Sequence, residues 1–250
     1  MTPTETQRVA LVTGGTSGFG VTIAARLRAD GMRVAVTGRH APSPEVAEQL
    51  GDALFVAGDL TEPGVPDRVV REVVDALGRL DVLVNNAGRR HAGLIVDTPQ
   101  EELADVFALN AIAPMLTTSA AARAMIPTGG GAIITMVSRL ATSGVPTLTA
   151  YTASKGALAA YTKGAAVELA PHNIRVNAVA PGMALTPLIE DWLADQPDPD
   201  AALAETLADI PLGRLATPDD VAAAVAYLAS PEAAYVTGAS IAVDGGYTAR

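Results

Sequence analysis

RVALVTGGTSGFG, residues 8–20, decides the fold. Its first half is an apolar, valine-rich run that does not alternate with polar residues. Strands covered on both faces read this way, as in a parallel sheet. Its second half sets glycines at 14, 15, 18 and 20, spaced T-G-x-x-x-G-x-G from Thr13, and a helical stretch follows. A glycine turn between a first strand and a helix is where backbone N–H groups and a helix N-terminus can meet a pyrophosphate. Glycines of a βα turn can also serve φ > 0 alone. Placement directly after the first strand favours the phosphate reading.

Six further apolar runs share the first run's character: 33–37, 53–57, 80–85, 131–138, 174–180 and 239–244. Between them, Val65, Val69, Val70, Val73, Val74 and Leu77 recur at helical spacing, and 100–126 and 151–170 also read as helices. This succession predicts an α/β fold: a Rossmann-type doubly wound parallel sheet of about seven strands with helices on both faces. No linker, compositional break or internal repeat divides residues 1–250, so they form a single domain. The stretches 109–126 and 151–170 are apolar or small on nearly every side. Such helices are covered on more than the sheet side, either within the core or at a subunit interface. Gly156, Ala159, Ala160 and Gly164 would permit close helix approach there.

Composition excludes several classes. A formal net charge of -10 opposes attraction to nucleic acid and to anionic membranes. The absence of cysteine excludes disulfides, thiolate catalysis and thiolate metal sites. The three histidines lack ligand spacing, so no catalytic metal is expected. MTPTETQR at the N-terminus has no apolar segment, and only these first residues read as disordered. No uninterrupted apolar run approaches the roughly 18 residues of a membrane span. A cytoplasmic protein is expected.

The end of the second strand reads Thr37, Gly38, Arg39. An acidic residue there would bind the adenosine ribose 2′-OH; a guanidinium instead suits a 2′-phosphate. Arg39 therefore favours NADP(H) over NAD(H), unless it is a solvated loop charge. Ser17 in the glycine turn adds no second cation.

Tyr151 and Lys155 lie four apart on one face of a helix. A phenol with a pKa of about 10 is a poor base at neutral pH, and a nearby ammonium favours its ionised form. Such a pair can exchange a proton with an alcohol or carbonyl oxygen while hydride moves at the carbon. Ser138 ends the strand that leads toward Tyr151 and can hydrogen-bond the same oxygen. Asn110 stands in an otherwise apolar helix, as a catalytic residue or as a satisfied structural amide. Asn85-Asn86-Ala87-Gly88 follows the fourth strand, at the carboxyl edge where ligands bind.

Taken together, TGGTSGFG, Asp59, NNAG at 85–88, Asn110, Ser138, YTASK at 151–155, Pro181-Gly182 and Thr186 closely resemble the short-chain dehydrogenase/reductase family over essentially the whole chain. The resemblance implies that Tyr151 is the general acid/base and that Ser138 positions and polarises the substrate oxygen. It implies that Lys155 binds the nicotinamide ribose and lowers the tyrosine pKa, and that Asn110 holds a water in a proton relay. Around the cofactor it implies Gly14, Thr16, Ser17, Gly18, Phe19, Gly20, Arg39, Asp59, Leu60, Asn86, Ala87, Gly88, Pro181, Gly182 and Thr186, besides Tyr151 and Lys155. It also implies a homotetramer or homodimer and a small alcohol or ketone substrate.

Residues 183–212 break the strand-and-helix rhythm, carry the only tryptophan, Trp192, and read as a substrate-covering segment. Arg89, Arg90 and His91 follow NNAG, and Arg139 follows Ser138. These cations suggest an anionic or polyoxygenated substrate, or else solvated loop charges. Two other functions share these residues in part: a redox-neutral epimerase that recycles its nucleotide, and a nucleotide sensor without turnover. The latter could dispense with Ser138, Tyr151 and Lys155.

Overall fold

The chain starts in the middle of its sheet and builds outward in both directions. In the computed structural model, which describes residues 7–250, seven parallel strands take the order β3-β2-β1-β4-β5-β6-β7. They are β1 (Val9–Thr13), β2 (Arg33–Gly38), β3 (Leu54–Ala57), β4 (Val82–Asn85), β5 (Gly131–Met136), β6 (Ile174–Pro181) and β7 (Ser240–Val243). Each falls within or beside an apolar run read from the sequence, and every pairing is parallel. The direction of building reverses between β1 and β4. Their carboxyl ends therefore part to leave a crevice there. Residues 1–6, expected from the sequence to lack order, lie outside the described residues.

Helices cover both faces. Adjacent strand residues point to opposite sides, so Val12, Val84 and Ile134 meet Ile23 and Leu27 of α1 (Gly18–Ala29) and Val221, Val225 and Leu228 of α9 (Pro218–Ala229). Leu50 of α2 (Pro44–Leu50) joins this side. Leu11, Leu83 and Ile133 meet Val69 and Val73 of α3 (Val65–Leu77) on the other face. There they also meet Ala121 and Met125 of α5 (Ala113–Met125) and Ala165 of α6 (Thr149–Leu169).

Two details differ from the sequence reading. Residues 100–126 are not one regular helix: α4 (Gln100–Phe107) and α5 are joined by a π-helical stretch, Ala108–Ile112. Pro114 has no N–H, so the carbonyl of Asn110, four residues earlier, has no α-type donor. This helical run, 100–128, is also long and apolar enough by composition to cross a bilayer, although no uninterrupted apolar run marks it in the sequence. Its Val106, Ala113, Ala121 and Met125 are buried in the domain.

Residues 183–212, second, contain regular structure: α7 (Pro187–Ala194) and α8 (Pro199–Ala208). Asp198 caps α8 by accepting from Ala201 N–H at 3.0 Å, and Pro199 takes the first helical position. At its base the excursion is tied down by Ala184, which bridges Ala216.

Candidate active site

Thr13 closes β1 with a buried hydroxyl that accepts from the backbone N–H groups of Asn86 and Ala87, both at 3.0 Å. Asn86 Nδ2 returns two bonds, to the carbonyls of Thr13 (2.9 Å) and Gly14 (3.0 Å). The glycine turn and the 86–88 turn are thus joined across the β1/β4 crevice. Gly14 has φ +61, and a Cβ on Gly20 would collide with the Gly14 carbonyl oxygen. Glycine is therefore required for both the turn and the close approach of α1.

The N-terminus of α1 faces this crevice. Its N-cap residue, Ser17, makes no side-chain cap, the first turn holds no acidic residue, and the space beside Gly18 is open. Backbone N–H groups at an uncapped helix start suit an anion. The cradle fits a dinucleotide pyrophosphate on these grounds.

One cleft of ≈ 790 Å³ runs from that cradle to the other end of the site. It is lined by Gly14, Ser17, Gly18, Phe19, Asn86, Ala87, Gly88, Ser138, Tyr151, Lys155, Pro181, Gly182 and Thr186 among the expected residues. Thr16, Gly20, Arg39, Asp59, Leu60 and Asn110 are not on its wall. Gly38 leaves room for the Thr16 hydroxyl, and β2 and β3 end side by side, which sets exposed Arg39 near Asp59. Asp59 accepts from the N–H and hydroxyl of Thr61. Those bonds, with a smaller contribution from Arg39, hold its carboxyl below its ordinary pKa. The Leu60 side chain is buried in the core.

Tyr151 stands in the first turn of α6, beside Ser138, whose Oγ also accepts from Leu140 N–H at 3.2 Å. Lys155, one turn on, is 5% exposed and donates to the Met136 carbonyl at 2.7 Å. Burial lowers the lysine pKa to about 8. The sequence led to the expectation that Lys155 would bring the phenol pKa down. Burial instead drives that pKa above its ordinary value, and the opposing groups are the Ser138 hydroxyl and Arg90. The physical reason is that Lys155 Nζ turns to Met136 and lies 5.9 Å from the phenol ring centre.

Asn110 has no exposure. Its Oδ1 accepts from Arg89 N–H (2.8 Å), and its Nδ2 donates to the Arg89 carbonyl (2.8 Å) and Ser154 Oγ (3.1 Å). The side chain is thus a satisfied structural amide. The backbone carbonyl of Asn110 has no α-type donor, because Pro114 lacks an N–H. Gly88 has no Cβ between this amide and Lys155 Nζ.

Sequence reasoning gave no role to Thr13, Ser154, the Met136 carbonyl or Tyr247. Thr13 and Ser154 sit inside motifs already quoted, and a hydroxyl at a buried strand end was the available signal. Of the four cations read as substrate contacts, Arg89 lies 3.9 Å from Asp105, and His91 Nδ1 lies 3.5 Å from Glu102 and off the cleft wall. Arg89, Arg90 and Arg139 line the cleft, with Trp192 of α7.

Residues 14–248 match the enoyl-(acyl carrier protein) reductase family model. The chain is 38% identical to cyclopentanol dehydrogenase of Comamonas testosteroni over 97% of its length and 98% of the relative's. It is 38% identical to 2-(R)-hydroxypropyl-CoM dehydrogenase of Xanthobacter autotrophicus, covering 97% and 99%. It is 37% identical to human dehydrogenase/reductase SDR family member 4, covering 97% and 88%. A crystal structure of a candidate short-chain alcohol dehydrogenase from Sinorhizobium meliloti superposes with a TM-score of 0.89 at 34% identity, covering 97% and 96%.

Proposed function

Because the chain belongs to the short-chain dehydrogenase/reductase family, we propose that it is an oxidoreductase moving hydride between a nicotinamide dinucleotide and the carbon of a small alcohol or ketone. The observation that carries this is the meeting of Ser138, Tyr151 and Lys155 in one cleft with the uncapped start of α1. When bound, the nicotinamide ring supplies or accepts the hydride.

Tyr151 Oη gives a proton to the carbonyl oxygen in reduction and takes it back in oxidation. Ser138 Oγ donates to the same oxygen as charge develops there. Lys155 Nζ holds the ribose hydroxyls. Because its pKa is about 8, it is a cation at neutral pH. The Asn110 carbonyl accepts from a water that joins Lys155 to solvent. A panel of ketones and alcohols, followed by NADPH and NADH absorbance, tests this reading. Cofactor binding with no turnover of any member would overturn it.

Arg90→Gln should move the phenol pKa upward, since Arg90 is one of the groups that lower it. In a pH–rate profile for alcohol oxidation, the rising limb should shift to higher pH. A stationary limb would separate that limb from Tyr151.

The cofactor proposed is NADP(H), read by Arg39. A bond to a charged group contributes about 1.5–3 kcal/mol, and a carboxylate at this position would also repel the 2′-phosphate. Arg39→Asp should therefore weaken NADP(H) about 100-fold relative to NAD(H). The ratio of their KM values measures it, and an unchanged ratio would show that another group reads the phosphate.

We place the protein in the cytoplasm as a homotetramer or homodimer joined through α5 and α6. Ile112, Leu116, Ile126 and Val167 are exposed there, and a Cβ on Gly164 would meet nothing in its own chain. Residues 183–212 serve as the substrate cover, with Ile189 and Trp192 on the cleft wall.

A further inference from the structure

Arg139 is unlike the other cations around the cleft. It directly follows Ser138, and its guanidinium carbon lies 3.5 Å from the centre of the Tyr247 ring. Stacking on an aromatic face fixes a guanidinium plane and leaves its edge N–H groups unused. Among the described residues no carboxylate lies within ion-pair distance of it. Two carboxylates close enough to act on its charge have other partners. Asp244 accepts from Gly246 N–H, Thr248 N–H and Thr248 Oγ. Asp209 is bound to Arg250. The C-terminal turn thus presents the ring that holds Arg139 and gives both acids hydrogen-bond partners of their own, so neither pairs directly with Arg139. Arg139, Tyr247 and Ser138 all line the same cleft.

We propose that Arg139, held face-on by Tyr247, binds a carboxylate of the substrate, so that the substrates are oxo acids and the corresponding hydroxy acids. A planar carboxylate matches the two-pronged guanidinium edge, and partial burial of the arginine strengthens the pairing. The proposal rests on the oxidoreductase reading. In reduction, a hydride from the nicotinamide adds to the carbonyl carbon and a proton from Tyr151 adds to its oxygen. The carboxylate is unchanged, and the reverse direction releases both. Arg89 and Arg90 also line the cleft but are exposed, and no ring fixes them, so they take no part in this selection.

Acetoacetate and levulinate are compared with their methyl esters as substrates, with NADPH or NADH. In the wild-type enzyme kcat/KM for the acids should exceed that for the esters by about 10- to 100-fold. Arg139→Met should bring the ratio close to one. Tyr247→Ala should lower it, and Tyr247→Phe, which keeps the ring face, should preserve it. Equal turnover of acids and esters would overturn the proposal and leave the oxidoreductase reading standing. So would a preference that survives Arg139→Met, or one removed only by Arg90→Gln. If neither acids, esters nor neutral ketones are turned over, the oxidoreductase reading fails, and fluorescence of Trp192, the only tryptophan, decides the rest. A change on adding levulinate but not its ester, lost in Arg139→Met, would support carboxylate binding; no change would overturn it.

Discussion

Tyr151→Phe lowers kcat by about 10²–10⁴-fold, the range expected when general acid/base catalysis is lost. The ring stays in the first turn of α6 beside Ser138, so only the hydroxyl is removed. Its loss leaves no charged partner orphaned, because Lys155 Nζ is bonded to the Met136 carbonyl rather than to the phenol. Thermal unfolding should therefore be little changed, and cofactor affinity likewise. Steady-state kinetics with a melting curve and a cofactor titration check all three. Activity retained within a few-fold would mean that another group, or water, carries the proton.

Lys155→Met abolishes most turnover yet does not weaken the cofactor-free fold. Positioning groups of this kind are worth about 10²-fold or more in rate. Stability moves the other way. Lys155 has an ordinary pKa of 10.5, lowered by burial to about 8. At neutral pH that gap represents a cost of about 3 kcal/mol for keeping the ammonium inside. Methionine removes that cost and loses one hydrogen bond from a charged group, worth about 1.5–3 kcal/mol. The melting temperature of the cofactor-free variant should stay level or rise by at most a few degrees. The wild-type protein should show the matching pH dependence. Between about pH 8 and 10.5 its unfolded state binds more protons, so its stability increases with pH through that window. Below it the whole cost remains. A variant that melts lower than wild type would show that the ammonium is accommodated without penalty.

The contrast between these two side chains marks how far the sequence could be read. Strand runs such as 8–13 and 174–180 were legible because a β-branched, unalternating segment has few other homes. Tyr151 and Lys155 could be placed on one helical face by spacing alone, and the structure puts both on the same cleft wall. Their pKa directions could not be read that way. Spacing shows which charges are neighbours, whereas burial depends on β5, which meets α6 only in three dimensions. The helices within residues 183–212 were not legible for a different reason. Pro187, Asp198 and Pro199 are turn residues by composition but helix-start residues in place, and nothing local separates the two uses. Tyr247 was out of reach because it belongs to the site only through the order β6-β7 at the sheet edge.

The π-helical stretch at Ala108–Ile112 also sets the rotational phase of α5 against that of α4. One surplus residue in a helix of 3.6 residues per turn advances everything after it by roughly 100°. A wheel drawn through residues 100–126 as one regular helix therefore overlays two stripes that are out of phase. The inward side of α5, with Ala121 and Met125, has its own azimuth, offset from that of Val106 in α4. Excising one residue there would let the helix run straight, and would swing Met125 off the sheet as it did so.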